Sequence, residues 1–133
     1  MLGTYEGGCH CGRVRFRIEV DLEATAIGEC TCSVCTKKGI LHLAVPRERL
    51  EILRGADALT TYTFNTGTAK HTFCRHCGIH PFYNPRTDPR NYSVNARCLD
   101  AYDAATMQPR RVFDGRHWEA AFARNTAERE GQR

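Results

Sequence analysis

A chain of 133 residues with 41% hydrophobic and 26% charged residues has the make-up of one globular domain, long enough to bury its own core. Its start, Met1-Leu2-Gly3-Thr4-Tyr5-Glu6, has no apolar run, and no stretch approaches the roughly 20 apolar residues of a membrane span, so neither a secretory leader nor a membrane association is expected. The formal charge of +4 is spread along the chain rather than gathered in a block, which argues against a general grip on nucleic acid.

Gly7-Gly8-Cys9-His10-Cys11-Gly12 opens the fold, its glycines allowing the tight backbone that two thiols one residue apart require. Arg13 to Val20 alternates strictly, predicting a strand with Val14, Phe16, Ile18 and Val20 toward the core and the charges toward water. Asp21 to Ala24 is a polar connection, and Thr25 to Glu29 a short strand leading into Cys30-Thr31-Cys32-Ser33-Val34-Cys35. Gaps of one and two residues let a short turn point three sulfurs at one ion. Lys37-Lys38-Gly39 follows as a solvated turn; the alternative is that its cations offset thiolate charge or receive an anionic ligand.

Ile40 to Val45 reads as a strand closed by Pro46, and Leu50 to Leu53 as another ended by Gly55. Leu59 to Phe64 and Thr68 to Phe73 flank Asn65-Thr66-Gly67, the signature of a hairpin, and its second arm delivers Cys74-Arg75-His76-Cys77-Gly78, a zinc-knuckle spacing. Ile79 to Tyr83 continues as a strand interrupted by Pro81, a proline-bearing loop spans Asn84 to Arg90, and Asn91 to Arg97 alternates again up to Cys98. One helix is expected, late in the chain, capped by Asp114 with Trp118, Ala121 and Phe122 on its apolar face. The layout is mainly β with one short C-terminal helix, a single domain over 1–125 and a polar tail over 126–133.

Eight cysteines in a chain without a leader point to metal in a reducing, cytoplasmic compartment rather than to disulfides. They fall as two, three, two and a lone Cys98. Zinc takes four protein ligands in a structural site but three where it must meet a substrate. Cys9, Cys11, Cys74 and Cys77 are therefore expected to close one zinc site and Cys30, Cys32 and Cys35 to form a second, open one. Two zinc ions with their thiolates would leave a net charge of about +1, which weakens the case for nucleic acid further. The fourth position of the second site is left to water, to a substrate thiol or to a protein ligand, with Cys98 ahead of His42, His71, His76 and His80. A thiol bound there would lose its proton and could attack an aldehyde to give a hemithioacetal; the reverse step is carbon–sulfur cleavage. A non-catalytic, zinc-stabilised binding module is the alternative. No phosphate-cradling glycine loop, His-Glu-x-x-His or nucleophile elbow competes.

The order Gly7-Gly8-Cys9-His10-Cys11-Gly12, Cys30-x-Cys32-x-x-Cys35, Cys74-x-x-Cys77-Gly78 resembles the glutathione-dependent formaldehyde-activating enzyme family. Lys37-Lys38, Thr60 to Asn65, His71-Thr72-Phe73-Cys74, Cys98-Leu99-Asp100, Phe113-Asp114-Gly115 and Trp118-Glu119 resemble in addition the centromere protein V domain of that superfamily. The resemblance implies a β-tent fold, structural zinc on Cys9, Cys11, Cys74 and Cys77, and a second zinc on Cys30, Cys32 and Cys35. It also implies carbon–sulfur lyase chemistry with S-hydroxymethylglutathione as product, and hence a small-molecule thiol or thiol–aldehyde adduct as partner.

Overall fold

The computed structural model describes residues 1–131. Ten strands form three sheets. In the first, β1 (Gly3–Gly8), β2 (Arg15–Val20) and β5 (Leu50–Arg54) run antiparallel, with Gly3 opposite Val20 and Gly8 opposite Arg15. The second has the order β10 (Arg111–Phe113), β3 (Gly28–Cys30), β4 (His42–Val45), β9 (Tyr92–Asn95), β8 (Phe82–Tyr83); only its β10–β3 pair is parallel. The third is the hairpin of β6 (Leu59–Tyr62) and β7 (His71–Cys74). Two helices complete the fold, α1 (Ser33–Lys38) and α2 (Trp118–Gly131). No helix among the described residues is long and apolar enough to cross a membrane.

The alternation in β2 does what its sequence requires: Phe16, Ile18 and Val20 are buried while Arg17 and Glu19 face water. They meet Leu43 and Val45 of β4, Phe82 of β8 and Val94 of β9 in the main core, closed by Ile27, Leu41, Leu99 and Met107. Val14 belongs elsewhere. It packs with Cys9, Ala58 and Cys74 in a smaller cluster, because the chain bulges between Arg15 and Phe16 and turns toward the cysteines. β4 has two distinct faces: Leu43 and Val45 lie in the core, and His42 and Ala44 line a cleft on the other side.

Several elements differ from expectation. β1 is a strand despite its glycines, since Gly7 lies where a Cβ would sit 2.3 Å from the Cys98 carbonyl oxygen. β10 also escapes the pattern, being short and exposed on two of its three residues. The hairpin is shorter than its β-rich arms predict, pairing Tyr62 with His71 and leaving 63–70 as a loop. Lys70 there exchanges backbone hydrogen bonds with Asn84 instead of Thr63, and Asn65 and Gly67 take left-handed φ values of 56° and 72°. The cysteine triplet is not a bare turn but the start of α1. Asp114 does not cap α2, whose first turn is preceded by a 3-10 turn over Gly115–His117. That helix runs through to Gly131, past the expected polar tail at Thr126; residues 132 and 133 lie outside the described chain.

Candidate functional site

Cys9 and Cys11 sit in the β1–β2 connection, and Cys74 and Cys77 at the end of β7 and the turn beyond it. Pairing across sixty-odd residues brings all four Sγ atoms within 4.8 Å of one another. Cys9 to Cys11 is 3.6 Å and Cys11 to Cys74 is 3.7 Å. Four sulfurs held tetrahedrally at a zinc–sulfur distance of about 2.3 Å stand about 3.8 Å apart, so this cluster has the size and donor chemistry of a zinc site. Local backbone builds it: Val14 donates its N–H to Cys9 Sγ at 3.3 Å, and Gly78, at φ 77°, donates to the Cys74 carbonyl at 2.7 Å. Cys74 is fully buried, whereas Cys11 is exposed and lies against Arg13, whose backbone N–H and then guanidinium draw its thiol down to about 6.

The second cluster joins Cys30 at the end of β3 to Cys32 and Cys35 on α1, again with Sγ atoms within 4.8 Å. Cys32 is the N-cap of α1 and accepts from the Cys35 N–H at 3.4 Å, while Gly39, left-handed at φ 65°, ends the helix by donating to the Cys35 carbonyl. Three thiols so close cannot all ionise unaided. Cys32 is pushed far down by hydrogen bonds from Cys30, Cys35 and the helix N–H groups, and Cys30 and Cys35 are pushed up in return. A bound cation would relieve that conflict.

The loop after β10 clamps this cluster. Thr31 donates its hydroxyl to Asp114 at 2.7 Å and its N–H to the Phe113 carbonyl at 3.0 Å, and Arg116 Nε donates to the Thr31 carbonyl at 3.0 Å. Asp114 also holds His117 Nδ1 at 2.9 Å; the Thr31 hydroxyl, then His117, keeps its carboxyl below the ordinary range. Gly115 lies so near the sulfurs that a Cβ there would be 2.6 Å from Cys32 Cβ and 2.7 Å from Cys30 Sγ.

The cluster opens into a cavity of about 1000 Å³. His42, His71, Tyr83 and Ser93 line it together with the three cysteines, as do the rings of Phe64, Phe113 and Trp118. His42 Nδ1 is 2.8 Å from Ser93 Oγ and 3.3 Å from Tyr83 Oη, and its Nε2 is buried without a partner. His71 is stacked on Tyr83 at 4.9 Å and on Phe64 at 5.4 Å. Burial holds His42 neutral, down to about 4. Arg86 lies 3.6 Å over the Trp118 ring, and Arg111, Arg116 and Arg124 join it along the cleft with Glu29, Asp88, Glu119 and Glu128.

No histidine, carboxylate or further cysteine joins the three sulfurs within that distance among the described residues. Cys98, the first candidate for a fourth ligand, points elsewhere: its Sγ faces the His80 carbonyl at 3.7 Å, and burial and the nearby Cys9 and Cys77 push its thiol up to about 12. His76 is exposed beside the first cluster, and His80 is buried against Lys38 Nζ at 3.0 Å. Lys38 turns to His80 and the Phe73 ring and Lys37 is exposed, so neither lysine lines the cleft. Ser93, Tyr83 and Arg86 carry no pattern that marks them as cleft residues in sequence. Asp114, Gly115 and Trp118 were visible as a Phe-Asp-Gly…Trp string, but not as the cluster's clamp.

Comparison with known proteins fits this geometry. A crystal structure of a Rhodobacter sphaeroides protein superposes with a TM-score of 0.74 at 35% sequence identity, covering 80% of this chain and 98% of that one. A Halomonas elongata protein, named among glutathione-dependent formaldehyde-activating enzymes, is 25% identical over 83% of this chain and 87% of its own length. The family model described as glutathione-dependent formaldehyde-activating enzyme matches residues 4–116, which takes in both cysteine clusters and the Asp114–Arg116 clamp. The chain belongs to the glutathione-dependent formaldehyde-activating enzyme family.

Proposed function

We propose that the chain makes or breaks the carbon–sulfur bond of a hemithioacetal, taking a glutathione-like thiol or its aldehyde adduct in the cleft at Cys30, Cys32 and Cys35. On this reading Cys9, Cys11, Cys74 and Cys77 hold a structural zinc, and the triplet holds a second. The observation that carries the proposal is a three-sulfur cluster that no histidine, carboxylate or further cysteine joins among the described residues, lining a cavity of about 1000 Å³. Zinc bound to the triplet would supply Lewis acidity and lower the proton affinity of a thiol that reaches it.

The chain's own residues do the remaining work. Thr31, Asp114 and Arg116 fix the loop that carries Cys30 and Cys32, so the sulfurs keep their spacing as ligand enters. The rings of Tyr83, Phe64 and Phe113 line the same cavity and would limit water near the reacting sulfur, which favours addition over solvation of the aldehyde. Glutathione carries two carboxylates and one ammonium. The cleft offers both signs, with Arg86, Arg111, Arg116 and Arg124 facing Glu29, Asp88 and Glu128.

Formaldehyde and glutathione combine spontaneously, so the test is a rate and not an end point. Exchange between the free pair and the adduct, followed by NMR at equilibrium, should be faster with wild type than with Cys32→Ser. Equal rates would sink the lyase reading and leave a zinc-stabilised binding module.

A further inference from the structure

We infer that His42 is a catalytic residue of this cleft, its Nε2 carrying the proton between the thiol and the aldehyde oxygen. The inference rests on the carbon–sulfur reading above and deepens it.

Three observations meet at this ring. First, His42 opens β4 on the face opposite Leu43 and Val45, so the strand's alternation aims it at the cavity that holds the triplet. Second, its Nδ1 is held by two hydroxyls, Ser93 Oγ at 2.8 Å and Tyr83 Oη at 3.3 Å, and the Tyr83 ring packs edge-on at 5.7 Å. With Nδ1 protonated, both hydroxyl oxygens can accept from it. Third, Nε2 is buried and bonded to nothing. A buried polar atom without a partner is costly, and a ligand or a catalytic role is one reason a protein keeps one. Nε2 does not lie within 4.8 Å of all three sulfurs, so it stands beside the cluster and not in it. His42 and the three cysteines line the same cavity.

In the forward direction the thiol S–H proton passes to Nε2 and the sulfur pair forms the C–S bond. The carbonyl π pair moves to oxygen, and that oxygen takes the proton back from Nε2. In reverse, Nε2 accepts the hydroxyl proton, the C=O bond re-forms, and the C–S pair leaves on sulfur, which is then protonated. No oxidant or reductant is needed. Ser93 and Tyr83 are positioning residues: they fix the Nδ1–H tautomer that leaves the Nε2 lone pair open.

The test uses the zinc-loaded full chain. His42→Gln should lower the NMR exchange rate by at least tenfold, as loss of a general acid–base does, with zinc content unchanged and calorimetric glutathione affinity within twofold of wild type. Ser93→Ala should give a smaller loss in rate and none in affinity. Independently, ¹⁵N shifts of the His42 ring in wild type should report Nδ1–H, and the Nε2 signal should move on addition of glutathione; this reading stands even where a variant fails to fold. An Nε2–H tautomer, an Nε2 signal unmoved by saturating glutathione, or a His42→Gln rate equal to wild type would overturn the role of His42 while the lyase reading stands. Wild type no faster than Cys32→Ser would overturn both.

Discussion

Gly115 shows how narrow the tolerance at the second cluster is. Its missing side chain is what lets the β10–α2 connection lie on the sulfurs, since a Cβ would be 2.6 Å from Cys32 Cβ and 2.7 Å from Cys30 Sγ. Gly115→Ala should therefore spread the triplet without touching the main core. Native mass spectrometry is expected to find one zinc instead of two, with a melting temperature within a few degrees of wild type; retention of both ions would show that the clamp is slack. His80 sets a second expectation. It is buried, its folded-state ring is pulled down to about 3 first by burial and then by Lys38, and His71 and His42 add to that repulsion. The unfolded chain protonates first, near pH 6.5, so stability is complete above that pH and declines as pH falls toward the folded value. Between pH 7 and pH 5 the loss is on the order of 2 kcal/mol. His80→Gln should flatten that slope in urea titrations at the two pH values, and an unchanged slope would remove His80 as its cause.

At the scale of elements, the two clusters differ in what they tie together. Cys30, Cys32 and Cys35 lie within one β3–α1 unit, whereas Cys9 and Cys11 reach across to Cys74 and Cys77 and pin the β1–β2 connection to the β6–β7 hairpin. Among the described residues the smaller apolar cluster around the four sulfurs has Cys9, Val14, Ala58 and Cys74 as its buried members, so on the two-zinc reading the metal carries much of that junction. Cys77→Ser should unfold the domain or render it insoluble. Cys32→Ser should leave a folded chain with one zinc, because the core built from β2, β4, β8 and β9 does not include the triplet. Thermal melts beside zinc content decide it, and a more damaging Cys32→Ser would reverse the two roles. α1 was not expected; the signal that could have found it is Lys37-Lys38-Gly39, basic residues in the last turn with a left-handed glycine after them. Six residues of helix are too few for periodicity to reveal.

For the molecule as a whole, purified reduced protein should carry close to two zinc ions on seven of its eight cysteines. Structural zinc contributes apparent binding free energy on the order of 10 kcal/mol, comparable with the stability of an entire domain. Strong chelation should then release both ions and abolish the near-UV circular dichroism of the folded chain. A metal-free chain that keeps its tertiary signal, or disulfides in freshly reduced protein, would sink the two-site reading. Cys98 is the eighth thiol; half-buried with its Sγ against the His80 carbonyl, it should react with alkylating reagent more slowly in the folded chain than after unfolding.

The sequence by itself determined the donor chemistry and the β-rich class. Cysteine spacing of two, three and two is a local covalent fact, and strict alternation in β2 follows from the period of a strand, so neither needed a partner to be read. The core positions Phe16, Ile18 and Val20 were legible for the same reason. Tertiary structure decided what surrounds the sulfurs. Cys98 falls on the side of the first cluster because the backbone bridge between Gly7 and Leu99 ties its segment to β1. His42 turns from one histidine among six into a cleft residue only when β9 and β8 bring Ser93 and Tyr83 to its Nδ1. Asp114 gives up the helix cap that its position promised because Thr31, distant in sequence, offers it a hydroxyl at 2.7 Å. Periodicity records which face of an element is buried; which side chains meet across elements is set by sheet order and register, and those emerge only from long-range pairing.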